Sequence, residues 1–223
     1  MKKSCLSRVE IAKRCAQDVP NGSYVNLGIG MPTLVGSNLC EGKEVMFHGE
    51  NGIIGIGPEA DDANIDGNLL DVSARHVILA DGGTIVHHTD SFVIVRGGHL
   101  DITIMGALQV SEKGDLANWL TNDPYAIPGI GGSMDLAAGA KNVYIVMEHT
   151  TKTGDPKIKK ECTFPLTATN CVKTIYTDLA VIDVTERGLI LKEKIPTMTV
   201  KEVQALTEAE LIVDENIKEL KIQ

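Results

Sequence analysis

The sequence predicts one α/β domain over residues 1–223, built on an open, mixed and mainly parallel sheet. Three observations predict it. Short apolar runs rich in Val and Ile recur at 24–27, 45–48, 101–110 and 142–147, lengths that suit buried strands better than helices. Many of the 22 glycines stand at the ends of those runs, where α/β proteins turn from strand into loop or helix. The chain of 223 residues is long for one domain and short for two, and no repeat or low-complexity tract divides it. Strand order is not legible from this pattern.

Taken in order, Leu6, Val9, Ile11, Ala12 and Cys15 lie near helical spacing, so 4–18 predicts a helix that Asn21-Gly22 ends. A strand at 24–27 runs into the turn Gly28-Ile29-Gly30, and Pro32 opens a helix through Leu39. A second strand, 45–48, stops at Gly49-Glu50-Asn51-Gly52. The glycine- and acid-rich stretch 55–71 has no clear period and predicts a surface excursion. Strands are expected at 77–80, 84–87 and 92–96, with Asp81-Gly82-Gly83 as a turn. The strongest strand signal is 101–110, and Ser111 to Asp115 turn it into a run ending at Trp119. A further strand is expected at 142–147, and a hairpin of 177–184 with 189–191 around Glu186-Arg187-Gly188. Thr199 and Glu202 have the spacing of a helix-capping pair for 199–206.

Composition excludes several classes. The formal charge is −9 and the basic residues are scattered; the densest group, Lys157 to Lys160, reads as an exposed loop. Nothing concentrates enough positive charge to displace phosphate counterions, which argues against nucleic-acid binding. Five cysteines without a Cys-x-x-Cys pair argue against a disulfide framework or structural zinc and for reduced thiols. Charges at Arg8, Glu10, Lys13 and Arg14 interrupt any leader-like stretch, and no apolar run is long enough for a membrane span. The expectation is a cytoplasmic protein.

Four local patterns bear on chemistry. Glu50 lies between Gly49 and Asn51-Gly52 at a strand end, where a turn can project a carboxylate into the cleft at the carboxyl edge of a sheet. A desolvated, oriented carboxylate can act as a covalent nucleophile; the same residues equally make an ordinary surface turn. Asn26 to Gly30 lacks the third glycine of a dinucleotide fingerprint, since position 33 is Thr, and lacks the Lys-Ser/Thr of a P-loop. It either brings backbone amides to a ligand or lets strand and helix pack closely. Pro128 to Asp135 holds three glycines before a helix-like 134–140, and free N–H groups there would suit an oxyanion or carboxylate, or simply form a linker. Six histidines show no metal-ligand spacing. His87 and His88, adjacent on an expected strand, would point to opposite faces. No Gly-x-Ser-x-Gly marks a hydrolase.

These stretches occur together and in order. Asn26-Leu27-Gly28-Ile29-Gly30-Met31-Pro32-Thr33, Glu50-Asn51-Gly52-Ile53-Ile54-Gly55, Arg96-Gly97-Gly98-His99-Leu100-Asp101 with Gly106-Ala107-Leu108-Gln109-Val110, and Gly129-Ile130-Gly131-Gly132-Ser133-Met134-Asp135-Leu136 resemble the beta subunit of family I CoA-transferases. That group comprises the 3-oxoacid, acetate/acetoacetate and butyrate CoA-transferases. The similarity continues through Ala117-Asn118-Trp119, Met147-Glu148-His149-Thr150 and Cys162-Thr163-Phe164-Pro165-Leu166-Thr167, and so covers nearly the whole chain.

The resemblance implies a fold of the CoA-transferase (NagB/RpiA-like) type and a catalytic glutamate at Glu50. It implies ping-pong transfer through a glutamyl-CoA thioester. Backbone oxyanion donors would come from the Asn26 loop and from Gly131 and Gly132, and Asn51, Gln109 and Asn118 would shape the pocket. It implies no metal or organic cofactor, with coenzyme A as substrate, and an alpha subunit completing a heterodimer or heterotetramer. Acyl-CoA hydrolysis, or sugar-phosphate binding without catalysis, are the competing functions. Many relatives carry Ser before the glutamate, where this chain has Gly49.

Overall fold

A computed structural model describes residues 5–222. The first helix, α1 (Arg8–Gln17), is closed by a reciprocal capping box. The Ser7 side chain accepts from the Glu10 amide, and the Glu10 carboxylate accepts from the Ser7 amide at 2.7 Å. Buried Ile11, Ala12 and Cys15 form its inner face. Strand β1 (Tyr24–Leu27) follows, then a short helix α2 (Thr33–Gly36), which stops before the expected Leu39, and β2 (Met46–His48).

The next elements depart from expectation. Part of the expected surface excursion is strand β3 (Ile53–Glu59), antiparallel to a continuous β4 (Val77–Ile85). Asp81-Gly82-Gly83 is not a turn between two strands. A Cβ on Gly55 would lie 2.8 Å from the Gly83 Cα, so the glycines permit a close crossing within one irregular pair. The expected strand at 92–96 is instead the end of helix α3 (His88–Arg96). His87 caps it by accepting from the Thr89 amide, and Ser91, Phe92 and Val95 turn inward while Val93 stays exposed. Burial at helical spacing overrides the β preference of Phe-Val-Ile-Val.

The run 101–110 divides into β5 (Ile102–Met105) and β6 (Gln109–Ser111), interrupted at Gly106-Ala107-Leu108; β7 (Leu116–Ala117) follows. Helix α4 (Ser133–Gly139) leads to β8 (Asn142–Val146). The lysine-rich segment is not an exposed loop. It contains β9 (Ile158–Lys159), whose Ile158 is fully buried, and Lys157 and Lys159 are half-buried. Beyond it come β10 (Val172–Tyr176), the hairpin of β11 (Ala180–Thr185) and β12 (Gly188–Lys194), then α5 (Val200–Ala205) and β13 (Leu211–Glu219). The Thr199–Glu202 capping box forms as the spacing predicts.

Ten strands make one sheet in the order β13-β12-β11-β10-β8-β5-β1-β2-β3-β4, and β7-β6-β9 make a small second one. The centre, β10-β8-β5-β1-β2, is wholly parallel, and antiparallel strands adjoin it on both sides. All four residues of β5 are buried, as a strand covered on both faces requires. Each buried Ile or Val there contributes about 1.5–3 kcal/mol. The chain lays down β1, adds β2 on one side, then adds β5, β8 and β10 on the other. The winding direction therefore reverses between β1 and β5, and the crevice outside the carboxyl ends at such a reversal is where open α/β sheets bind ligands.

Candidate active site

A cavity of about 410 Å³ opens at that reversal. Gly28 and Ile29 after β1, Glu50 after β2, and Met105 to Leu108 after β5 line it, together with Val72, Asn118 and the loop Gly129 to Ser133. Among these residues Glu50 is the only ionisable one.

The turn bearing Glu50 is held tightly. The Gly49 amide donates to Ile53 O at 2.8 Å and the Gly52 amide to Gly49 O at 3.0 Å. Gly52 has φ +104°, and a Cβ there would overlap Val86 O, so the turn requires glycine. Beneath it lies a buried polar network. Ser91 Oγ donates to Gly49 O at 3.0 Å and sits 3.0 Å from His48 Nε2. Asn26 Nδ2 faces His48 Nδ1 at 3.4 Å and donates to His48 O at 3.2 Å, while Thr103 Oγ1 donates to Asn26 Oδ1 at 3.2 Å. With Asn26 donating to Nδ1, the network assigns the His48 proton to Nε2. Burial lowers the pKa of His48 and keeps it neutral.

The carboxylate itself meets three neighbours. Gly132 packs against it, His88 stands nearby with Nδ1 at 2.8 Å from Glu50 O, and Asp135 repels it. Burial pushes the Glu50 pKa up; the Asp135 charge adds to this, and His88 and the Gly132 amide oppose it. Gly132 has no room for a side chain: a Cβ would overlap Glu50 Oε2 and come within 2.8 Å of Phe92 Cζ. The arrangement holds a partly desolvated carboxylate, packed against Gly132, in a cavity whose other walls are uncharged. Such a group can attack an activated carbonyl, with nearby loop amides available to a developing oxyanion.

The expected site residues separate into two sets. Glu50, Gly131, Gly132 and Asn118 line the same cavity; Asn118 is fixed by Thr167 Oγ1 donating to its Oδ1 at 2.6 Å. Three others lie elsewhere. Asn26 is buried within β1, paired on both sides, so its loop reaches the cavity through Gly28 and Ile29 instead. Gln109 is buried and clamps the segment 163–164, accepting from the Thr163 amide at 2.8 Å. Asn51 is exposed and donates to Leu70 O at 2.6 Å, tying down the following loop. Gly49 is crowded: a Cβ would meet Asn51 Oδ1 at 2.7 Å and Ile53 O and Ile56 Cδ1 at 3.0 Å. His88, Ser91 and Phe92 do not stand out in the sequence as supports of this turn, because Phe92 lies in the strand expected at 92–96 and the other two fall between expected strands.

Among the described residues no group of His, Cys, Asp or Glu could hold a metal ion, and no helix is long and apolar enough to cross a membrane. No described cysteine is joined in a disulfide.

The model of the family described as Coenzyme A transferase matches residues 8–206. The chain is 50% identical over 207 residues to the B-type subunit of 3-oxoadipate CoA-transferase from Acinetobacter baylyi, covering 93% of this chain and 95% of that one. It is 41% identical over 206 residues to the corresponding subunit of succinyl-CoA:3-ketoacid coenzyme A transferase from Helicobacter pylori, covering 92% and 99%. The solved acyl-CoA transferase of Escherichia coli O157:H7 shares the fold, with a TM-score of 0.75 at 19% identity, over 97% of this chain and 43% of that longer chain. Glutaconate coenzyme A-transferase from Acidaminococcus fermentans does so with a TM-score of 0.70 at 18% identity, over 100% and 92%. A cavity with one desolvated glutamate at the sheet's reversal and this near full-length likeness lead to one conclusion: the chain belongs to the coenzyme A transferase family.

Proposed function

We propose that this CoA-transferase chain moves CoA through Glu50, from an acyl-CoA to a short carboxylic or 3-oxo acid. A Glu50 oxygen attacks the thioester carbonyl, the C–S bond breaks, and CoA leaves as thiolate with an acyl-glutamyl anhydride in its place. The thiolate then attacks the Glu50 acyl carbon and expels the first acid as carboxylate, leaving a glutamyl-CoA thioester. A second carboxylate attacks that thioester, and the same bonds form and break in reverse to deliver the new acyl-CoA. Carboxylate, thiolate and acyl groups supply every electron pair, so CoA is a substrate and no other cofactor is needed. The observation that carries this reading is that Glu50 is the only ionisable residue lining the cavity, with Gly132 packed against its carboxylate.

The substrate reading is the 3-oxo acid type. It rests on relatives named for 3-oxoadipate at 50% and 51% identity and on one named for succinyl-CoA and 3-ketoacids, another 3-oxo acid class, at 41%. An alpha subunit is the expected partner, in a heterodimer or heterotetramer, because the relatives are named as one subunit of a larger enzyme. The apolar rim supports it: Ile29 is 69% exposed beside the cavity, and Ile127 is 91% exposed in the segment leading to it. Thioester loss from acyl-CoA, measured on the two-chain complex with and without added 3-oxo acid, tests the reading. Strict dependence on the acid supports transfer; equal loss without it means hydrolysis and contradicts transfer.

A further inference from the structure

Helix α3 presents His88, Phe92 and Arg96 at successive turns, spaced four residues apart. Each touches a different part of the site. His88 contacts Glu50 O, and its ring lies edge-on to Phe92 with centroids 5.0 Å apart. The Phe92 ring packs where a Gly132 side chain would stand. Arg96 grips Asp135 with two bonds, Nε to Oδ1 at 2.7 Å and Nη2 to Oδ2 at 3.1 Å, and its guanidinium lies 5.5 Å from the Phe92 ring centre. Asp135 stands three residues beyond Gly132. Arg96 and Asp135 thus join two glycine-rich stretches far apart in sequence, through a contact that touches neither the cavity nor the reacting atoms.

We propose that Arg96 is a positioning residue: its two-point ion pair with Asp135 latches the Gly131-Gly132 turn to α3 and keeps Gly132 packed against the Glu50 carboxylate. A second consequence follows from charge. The groups whose charge acts on Glu50 are His88 on α3 and Asp135 on α4, and the other lining residues are uncharged. Asp135 raises the Glu50 pKa, and Arg96 is the cation paired with Asp135. Without Arg96 the Asp135 charge acts on Glu50 unopposed, and less of the carboxylate is ionised. The inference deepens the reading of Glu50 as nucleophile and rests on it.

The test uses the two-chain complex and two readouts that need no turnover. One is the pH dependence of carbodiimide labelling at Glu50, which follows the protonated carboxyl. The other is hydrogen exchange in a peptide covering 129–136. Arg96→Met is expected to move the labelling midpoint to higher pH, roughly tenfold in labelling rate per unit at pH above it. The same variant is expected to speed exchange in 129–136 several-fold. Adding Asp135→Asn should return the midpoint to or below that of the unmodified complex while exchange stays fast. Arg96→Lys, which keeps the charge without the two-point geometry, should fall between. Arg96 is exposed, so its loss leaves the fold standing, and Asp135→Asn alone breaks the same latch from the other side. Unchanged exchange and an unchanged midpoint in Arg96→Met, or a double variant no different from it in midpoint, would overturn the proposal. Absence of CoA transfer by the unmodified complex would count against the proposed function and would leave both readouts of the latch intact.

Discussion

Replacing Gly132 by Ala perturbs the site at one atom. The added Cβ would stand 2.8 Å from Phe92 Cζ, whereas carbons in contact prefer about 3.5–4.0 Å. The shortfall is therefore roughly 1 Å at Phe92, and it is larger at Glu50 Oε2, which the new atom would overlap. Phe92 is buried and cannot give way freely, and the backbone of the Glu50 turn is fixed through Gly49 and Gly52, so the carboxylate can yield only by swinging off Gly132 into the cavity. The turn or the carboxylate must move by about that distance, and a displacement of this size in a reacting group costs on the order of 100-fold in rate. The folded state should lose only about 1–3 kcal/mol, the usual cost of overpacking. The assay is the initial rate of acyl-CoA to 3-oxo acid exchange by the two-chain complex, with thermal unfolding followed in parallel. A kcat within twofold of the unmodified enzyme would refute the claim that Gly132 sets the position of Glu50.

Other expectations follow from the same geometry. Because burial raises the Glu50 pKa, the nucleophile is lost to protonation as pH falls through a midpoint above the ordinary glutamate value of about 4.3; a pH profile of kcat/KM with its acid limb at or below that value would contradict this. Gly49→Ser crowds Asn51 and the Ile53 carbonyl, so it should cost about 1–3 kcal/mol of stability, measured by urea unfolding, and change turnover less than Gly132→Ala does. Ser91→Ala removes one of the two donors to the buried Gly49 carbonyl, the Gly52 amide being the other, and should destabilise by about 0.5–1.5 kcal/mol and lower kcat without a matching rise in KM.

Much of the parallel core was legible because its strands are short, β-branched and bounded by glycine, as at Tyr24–Leu27 and Asn142–Val146. Glu50 stood out because a strand end delivers it to the sheet's edge. Helix α3 reads in part as a strand because Phe92 to Val95 prefer strands locally, and only the tertiary burial of Ser91, Phe92 and Val95 selects the helix. The strand expected at 92–96 hides Phe92, and His88 and Ser91 fall between expected strands with no local signal of their own, though the spacing of His88, Phe92 and Arg96 is helical. The β3–β4 pair was hidden by glycines that serve its close crossing. Family likeness gives the Asn26 loop as a backbone donor and Gln109 as a pocket residue; the Asn26 side chain belongs to the network under the turn, and the buried Gln109 side chain to the 163–164 segment.

Covalent carriage of CoA by Glu50 can be read by mass analysis of the two-chain complex incubated with acyl-CoA and without acceptor acid. The expected result is a CoA adduct on the peptide containing Glu50, absent in Glu50→Ala together with transfer activity. An adduct on another residue, or full turnover by Glu50→Ala, would contradict it.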